Sequence, residues 1–349
     1  MNDRIPVSVA SLEKFSIALL TKAGLSRQDA ATVTESLLSA DLRGISSHGV
    51  VRLTSYIGRV RAGVMELNPS MEVERESPAS ALLNARNGLG QIAGNKAMAL
   101  AMDKAEACGV GLVSVKNSNH FGIAAFFAMQ AVKRNMVGLV ITNASPAIAP
   151  YGTKTPLTGT NPLAVAIPAA AERPIVLDMS TSVVARGKIR LASVIGEAIP
   201  LGWALDTEGK PTQDAKAALK GSMEPIGGPK GSGLSLVIDL LCGVLTGTSL
   251  TGEVKNVTDT SGPSQTSHMF IAINIAKFID AEQFKKNIDA VIRRIKALPS
   301  ASGSPPYLPG EIEFNLEAKR RAEGIPLSPK VIAELLDLAR KYGVTENIG

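Results

Sequence analysis

The chain has 349 residues, of which 45% are hydrophobic, 19% charged and 4% aromatic, enough apolar material for one large packed domain or two smaller ones. Its formal charge of +6 allows anionic ligands, yet the 37 lysines and arginines are scattered and Lys319-Arg320-Arg321 is the longest basic run. Without a basic stripe interleaved with aromatics, a nucleic-acid surface is excluded.

Helical periodicity covers residues 9–23 and stops at Gly24. Ser26 followed by Asp29 is an acidic capping box that opens a second helix, which runs to about Arg43 with Gly44 just beyond it. The segment Arg43-Gly44-Ile45-Ser46-Ser47-His48-Gly49-Val50-Val51-Arg52-Leu53 comes next and holds one of only three histidines. A turn at Glu66-Leu67-Asn68-Pro69 and a short strand at 80–84 precede an alanine-rich helix over 90–107. Strands at 111–115 and 137–142, with a helix from Phe121 to Arg134 between them, predict parallel pairing. A long Gly-, Pro- and Thr-rich loop spans 144–161; such loops in compact domains usually serve a site. Strands follow at 163–167 and 175–179, then a short helical piece through Arg186-Gly187-Lys188. Gly227-Gly228-Pro229-Lys230-Gly231-Ser232-Gly233 enters an apolar helix over 234–245. His268 opens a strand over 269–275, a helix spans 281–298, residues 299–310 are Pro- and Ser-rich, and Ser328 caps a last helix over 329–342.

Cys108 and Cys242 each lie in an apolar helical pattern and read as buried free thiols in a reducing compartment. No cysteines or histidines have metal-ligand spacing, so no metal is expected. Met1-Asn2-Asp3-Arg4 leads into a helix bearing Glu13 and Lys14, unlike a signal peptide, and no apolar run reaches the ~18–20 residues of a membrane span. The expectation is a soluble, cytoplasmic protein without membrane or nucleic-acid partners.

The chemistry concentrates around His48. If 48–60 is helical, His48 and Arg52 share one face at i and i+4. A group titrating near neutrality then stands beside a cation that grips a carboxylate through two bonds, which suits reduction of a 2-oxo acid. A polar helix cap with a surface arginine would look the same. His120 sits at a strand-to-helix turn, where a helix dipole would favour neutral imidazole; it could equally cap that helix. His268 reads as a polar residue at an edge. Asp178 ends a strand, where a carboxylate meets ribose hydroxyls or caps a helix, and Asn143 and Thr160 are neutral donors. Arg186 and Lys188 could oppose a second substrate carboxylate or face water. Gly88-Leu89-Gly90-Gln91-Ile92-Ala93-Gly94 has its third glycine one place late for a Rossmann fingerprint, and Lys230 precedes its glycine, unlike a Walker loop. What remains at Lys230 is a helix start that could hold an anion such as a cofactor phosphate, or a flexible turn.

Taken in order, Arg43-Gly44…Ser47-His48-Gly49…Arg52-Leu53, Ser118-Asn119-His120-Phe121-Gly122-Ile123-Ala124, Gly159-Thr160-Asn161-Pro162-Leu163-Ala164, Asp178-Met179-Ser180-Thr181-Ser182, Ala185-Arg186-Gly187-Lys188-Ile189, Lys230-Gly231 and Pro309-Gly310-Glu311 resemble the type-2 malate/L-lactate dehydrogenase family. That family includes sulfolactate and ureidoglycolate dehydrogenases and cyclic imino-acid reductases. The resemblance covers about residues 10–325. It implies an α/β, non-Rossmann fold with a mixed sheet flanked by helices: a helical region over 1–75, a nucleotide-binding core over 76–298, and a segment over 299–349 packing on the first. It also implies a homodimer that uses NAD or NADP on a small-molecule substrate.

By the same resemblance His48 is the proton donor, Ser47 its relay partner and Arg52 the carboxylate clamp. Both His48 and His120 remain candidates for protonating the product. His120, Phe121, Gly122, Ile123 and Ala124 would line the nicotinamide end, and Thr160, Arg186 and Gly187 would lie near substrate. Asp178, Met179, Ser180, Lys230, Pro309, Gly310 and Glu311 would hold ribose, phosphate and adenosine, with Asn143 and His268 beside the cofactor. Ser232 stands where members often carry tyrosine, which would open the pocket there. A cyclic imine is a cation and calls for an acidic residue, whereas Ala185-Arg186-Gly187-Lys188 is basic. A 2-hydroxy acid is therefore expected ahead of the alternatives, a piperideine or pyrroline 2-carboxylate and a non-catalytic dinucleotide-binding role.

Overall fold

The computed structural model describes residues 4–301, 303, 304 and 306–348; Met1 to Asp3, Ser302 and Pro305 of the Pro- and Ser-rich stretch, and Gly349 lie outside them. In chain order the elements are β1 (Ile5–Val7), α1 (Val9–Lys22), α2 (Arg27–Leu42), α3 (Arg52–Arg61), β2 (Glu72–Glu76), β3 (Ser80–Asn84), α4 (Gly90–Cys108), β4 (Val110–Ser118), α5 (Ala124–Val132) and β5 (Met136–Thr142). There follow β6 (Leu163–Ile167), β7 (Ile175–Met179), α6 (Arg186–Ile195), β8 (Ala204–Leu205), α7 (Ala215–Lys220), β9 (Ser222–Met223), α8 (Pro229–Asp239), β10 (Thr266–Asn274), α9 (Ala281–Lys296), α10 (Glu311–Glu323), β11 (Ile325–Leu327) and α11 (Pro329–Tyr342). Local chemistry sets several of these bounds. Ser8, Ser26, Asp280 and Ser328 accept backbone N–H bonds at the starts of α1, α2, α9 and α11.

A seven-stranded sheet in the order β2-β3-β4-β10-β5-β6-β7 forms the centre. β3 and β4 are parallel, and the other pairs are antiparallel. The expected parallel pairing of β4 with β5 does not occur, because β10 inserts between them and pairs antiparallel with both. The alternation along the strands explains the layering. Val113, Val140, Ala164 and Phe270 face a core built with α4 and α5. Ile141 and Met269 face the opposite way, onto Ile238 of α8 and Cys242 of the π-helical turn that continues it. Phe127 and Phe270 are completely buried and meet edge-on with centroids 5.5 Å apart; each such side chain contributes roughly 1.5–3 kcal/mol.

A second core joins the two ends of the chain. β1 pairs antiparallel with β11, and Leu12, Phe15, Leu37 and Leu53 pack with Ile325 and Leu335. A smaller cluster around Ile148, Ile189 and Met223 packs α6 with the 144–161 loop and β9. Cys242 is buried as expected, but Cys108, at the last turn of α4, is exposed; both are free thiols. Among the described residues no helix is long and apolar enough to cross a membrane.

Candidate active site

The histidine segment lies between α2 and α3, and it is not one helix. Gly44 ends the first with φ +88°, a 3₁₀ turn spans Ser46–His48, and Gly49 is extended before α3 begins at Arg52. The i, i+4 reading of His48 and Arg52 is therefore corrected. The groups still meet, by another route. Ser47 Oγ lies 2.9 Å from His48 Nδ1, and Arg52 Nε donates to the Ser47 carbonyl at 2.6 Å. The loop is pinned from below by Asp41, whose carboxylate accepts the Val50 amide at 2.8 Å. An added Cβ at Gly49 would fall 2.1 Å from that carboxylate, so only glycine fits. Burial, and then the Arg52 charge, push the His48 imidazole down to about 4. It is neutral at pH 7, and the residue keeps partial exposure.

His120 follows β4. Asn119 fixes the turn by donating to the Asn87 and Gly88 carbonyls, each at 2.9 Å. The His120 ring stacks on His48 with centroids 5.1 Å apart. Its Nδ1 lies 2.8 Å from the hydroxyl of Tyr56, which sits one helical turn after Arg52 on α3. The helix after His120 begins only at Ala124, so its dipole is not what neutralises the ring. Burial does so first, and the Arg52 charge adds to it; a proton on His48 or His268 would push it further the same way.

The Phe121, Ile123 and Ala124 side chains are buried in the core, which leaves this stretch mainly backbone to offer a ligand. Phe121 stacks flat on His268 at 4.4 Å. His268 is no edge residue: it lies in β10 at the middle of the sheet, fully buried. Its ring nitrogens lie 2.7 Å from Thr142 Oγ1 and 2.9 Å from Ser118 Oγ, and burial pushes it down to about 3.

α6 brings a third element against this pair. An added Cβ on Gly187 would stand 3.9 Å from Ser47 Cβ. Arg186 is half-buried and donates to the Leu219 carbonyl at 3.2 Å. The charge of Arg190 lies close enough to depress both Arg186 and Arg52, after burial, which is the larger cause for each. Arg190 of α6 thus lies within electrostatic reach of Arg52 on α3 and of Arg186 on its own helix. Arg190 was not singled out from the sequence; its position one turn after Arg186 was the available signal. Lys188, paired with Arg186 in the sequence reading, is exposed.

The residues expected to hold a cofactor divide. A cavity of about 360 Å³ is lined by Arg43, Asp178, Pro309, Gly310, Tyr307 and Glu313, among others. Asp178 accepts the Ala125 amide at 2.9 Å, and burial raises its carboxyl to about 6. Arg43 is buried beneath the cavity, and its Nε has no hydrogen-bond partner. Glu311 turns away to Lys296 Nζ at 2.7 Å and to the Leu308 amide, so Glu313 supplies the acidic wall.

Met179 and Ser180 continue from Asp178, with Ser180 Oγ 2.9 Å from Ser182 Oγ. Thr160 holds the Thr181 amide through its carbonyl. Asn143 accepts the Ser267 amide through Oδ1, while its Nδ2 is buried without a partner beside Gly243. Lys230 is exposed in the first turn of α8. Ser232, where the family often has tyrosine, accepts the Tyr151 amide at 2.9 Å and so ties the long 144–161 loop to this helix. Among the described residues no cluster of His, Cys, Asp and Glu could hold a metal ion.

Comparison with known proteins shows the family of the chain. The family model for malate/L-lactate dehydrogenase matches residues 7–336. Malate dehydrogenase of Pyrococcus abyssi is 40% identical, covering 98% of this chain and 95% of the relative. The solved sulfolactate dehydrogenase of Methanocaldococcus jannaschii superposes with a TM-score of 0.92 at 37% identity, covering 97% of this chain and 98% of that one. More distant relatives, each 34% identical, are ureidoglycolate dehydrogenase (NAD(+)) of Escherichia coli, over 91% of each chain, and (2R)-3-sulfolactate dehydrogenase (NADP(+)) of Chromohalobacter salexigens, over 97% of this chain and 98% of the relative. The family model, these relatives and the shared fold place the chain in the malate/L-lactate dehydrogenase family of oxidoreductases.

Proposed function

We propose that the protein transfers a hydride reversibly between a nicotinamide dinucleotide, NAD or NADP, and C2 of a small 2-hydroxy/2-oxo acid with a second anionic group, as in malate or sulfolactate. The carrying observation is the convergence of Ser47, His48, Arg52 and His120 with the arginines of α6. Arg52 pairs with the C1 carboxylate, and Arg190 and Arg186 meet the second anion. A cationic imine has no acidic partner among these residues, which counts against a cyclic imino acid.

In the oxidation direction neutral His48 takes the hydroxyl proton as hydride leaves C2, while Ser47 holds the ring at Nδ1. A carboxylate on Arg52 cancels one of the two causes that keep His48 neutral, so the proton taken is held more readily. The residues suit the cofactor: the cavity at Asp178, Pro309 and Gly310 has an acidic wall for ribose hydroxyls and an unpaired Arg43 Nε beneath it. NAD or NADP, when bound, supplies or accepts hydride at its nicotinamide ring. Asn143 Nδ2, buried without a partner, is the donor offered to a carboxamide, and Lys230 is the charge offered to a phosphate.

The partition into 1–75, 76–298 and 299–349 belongs to the same proposal, as does a homodimer. Supporting the dimer, Leu234, Val237, Leu241 and Leu245 form an exposed apolar stripe along α8 and its π-helical extension, with Val237 51% and Leu245 63% exposed. A reducing compartment such as the cytoplasm suits the two unpaired cysteines. The function is tested by assaying malate, lactate, sulfolactate and piperideine carboxylate against both cofactors. Turnover is expected on the dianionic acids first; turnover confined to the imine would overturn the reading.

A further inference from the structure

The glycine run over 88–94 does not match a Rossmann fingerprint, but it has another task. Gly90 opens α4, and an added Cβ there would fall 2.2 Å from the Asn119 carbonyl oxygen and 2.8 Å from the His120 carbonyl carbon. The start of α4 is thus pressed onto the main chain that carries His120. The next residue, Gln91, is fully buried, and its Nε2 donates to Tyr56 Oη at 2.7 Å. Having accepted that bond, the phenol turns its own proton toward His120 Nδ1, 2.8 Å away. The Gly122 amide, which can only donate, approaches the same nitrogen at 3.4 Å. Burial holds the phenol well above its ordinary value, so it keeps its proton. Two donors aimed at Nδ1 leave no room for a proton on it.

We propose that Tyr56 and Gln91 are positioning residues that lock His120 as its neutral Nε2–H tautomer, so that the ring offers an N–H bond and not a lone pair to the substrate oxygen. The proposal rests on the reading of His120 as a site residue. It divides the work of the two imidazoles: His120 polarises the oxygen on C2 without transferring a proton, and His48 moves the proton. It also explains why a glycine run that fails every nucleotide fingerprint lies where it does.

With only three histidines, long-range ¹H–¹⁵N spectra of the unliganded protein read the protonated nitrogen of each ring directly. His120→Gln identifies its signals. The expected result is a proton on Nε2 and a bare Nδ1 at His120. In Tyr56→Phe the tautomer is expected to mix, with kcat on malate falling about 10- to 100-fold and KM nearly unchanged. A proton on Nδ1 of His120 in the wild type would overturn the proposal. Tyr56→Phe leaving both tautomer and kcat unmoved would also overturn it. An Nε2–H ring in a protein that turns over no 2-hydroxy acid would support the lock and count against the function proposed above.

Discussion

The imidazole rings of His48 and His120 stack with centroids 5.1 Å apart and 28° between their planes, beside the Arg52 guanidinium. Two charged rings so placed would repel each other and the arginine, and burial already disfavours either charge. Both are neutral at pH 7 in the free protein. For oxidation of malate, the acid limb of kcat/KM from His48 is expected only near its depressed value of about 4. A pH–rate profile checks this; an acid limb at the ordinary histidine value of 6.5 would show that His48 is not held as described.

Arg52 has two consequences that one variant separates. Arg52→Ala removes a charged carboxylate partner worth roughly 1.5–3 kcal/mol, so KM for malate should rise about 10- to 100-fold. The same change removes a cation from His48, whose pKa should move up. Steady-state kinetics and an NMR titration of the His48 ring read the two effects on one sample.

Arg190 reports on substrate class. It is solvent-facing yet couples to both Arg52 and Arg186. Arg190→Ala should raise KM for malate or sulfolactate about 5- to 10-fold, the size of a partly screened ion pair, and leave lactate unchanged. An equal effect on lactate would mean that Arg190 does not meet the second anionic group.

Asp41 makes a stability prediction. Its carboxyl is buried under the His48 loop and raised to about 7 from 3.8. The folded chain therefore binds a proton that the unfolded chain has lost between those values, and this contribution to stability is full below the lower value and lost as pH rises through the upper one. Asp41→Asn abolishes this loss. Its stability relative to wild type should grow as pH rises from about 4 to about 7, by up to ~4 kcal/mol. Urea denaturation at two pH values measures the difference.

Much of the architecture could be read locally. β3, β6 and β7 occupy the spans that apolar runs marked, and Ser328 caps α11 as its hydroxyl and position suggested. β2 escaped notice because Glu72 to Glu76 is an exposed edge strand with no buried face to impose a pattern. The place of β10 between β4 and β5 was not legible, since strand order depends on partners 126 to 163 residues apart and leaves no local signal.

At the site, Ser47, His48 and Arg52 were legible because they lie within one short segment. Tyr56 was not, because its meaning depends on Gln91 and His120, 35 and 64 residues away. His268 misled for a related reason. A histidine at a strand start looks peripheral until Thr142 and Ser118 are seen to occupy both its nitrogens.

The proton-transfer role of His48 is the claim on which the rest depends. The direct measurement is kcat/KM for malate with NAD and NADP in the purified wild type and in His48→Ala, with cofactor binding followed by thermal protection. Loss of about 10²–10⁴-fold in turnover with cofactor protection intact is the expected result. Unchanged kcat/KM in the variant would contradict it.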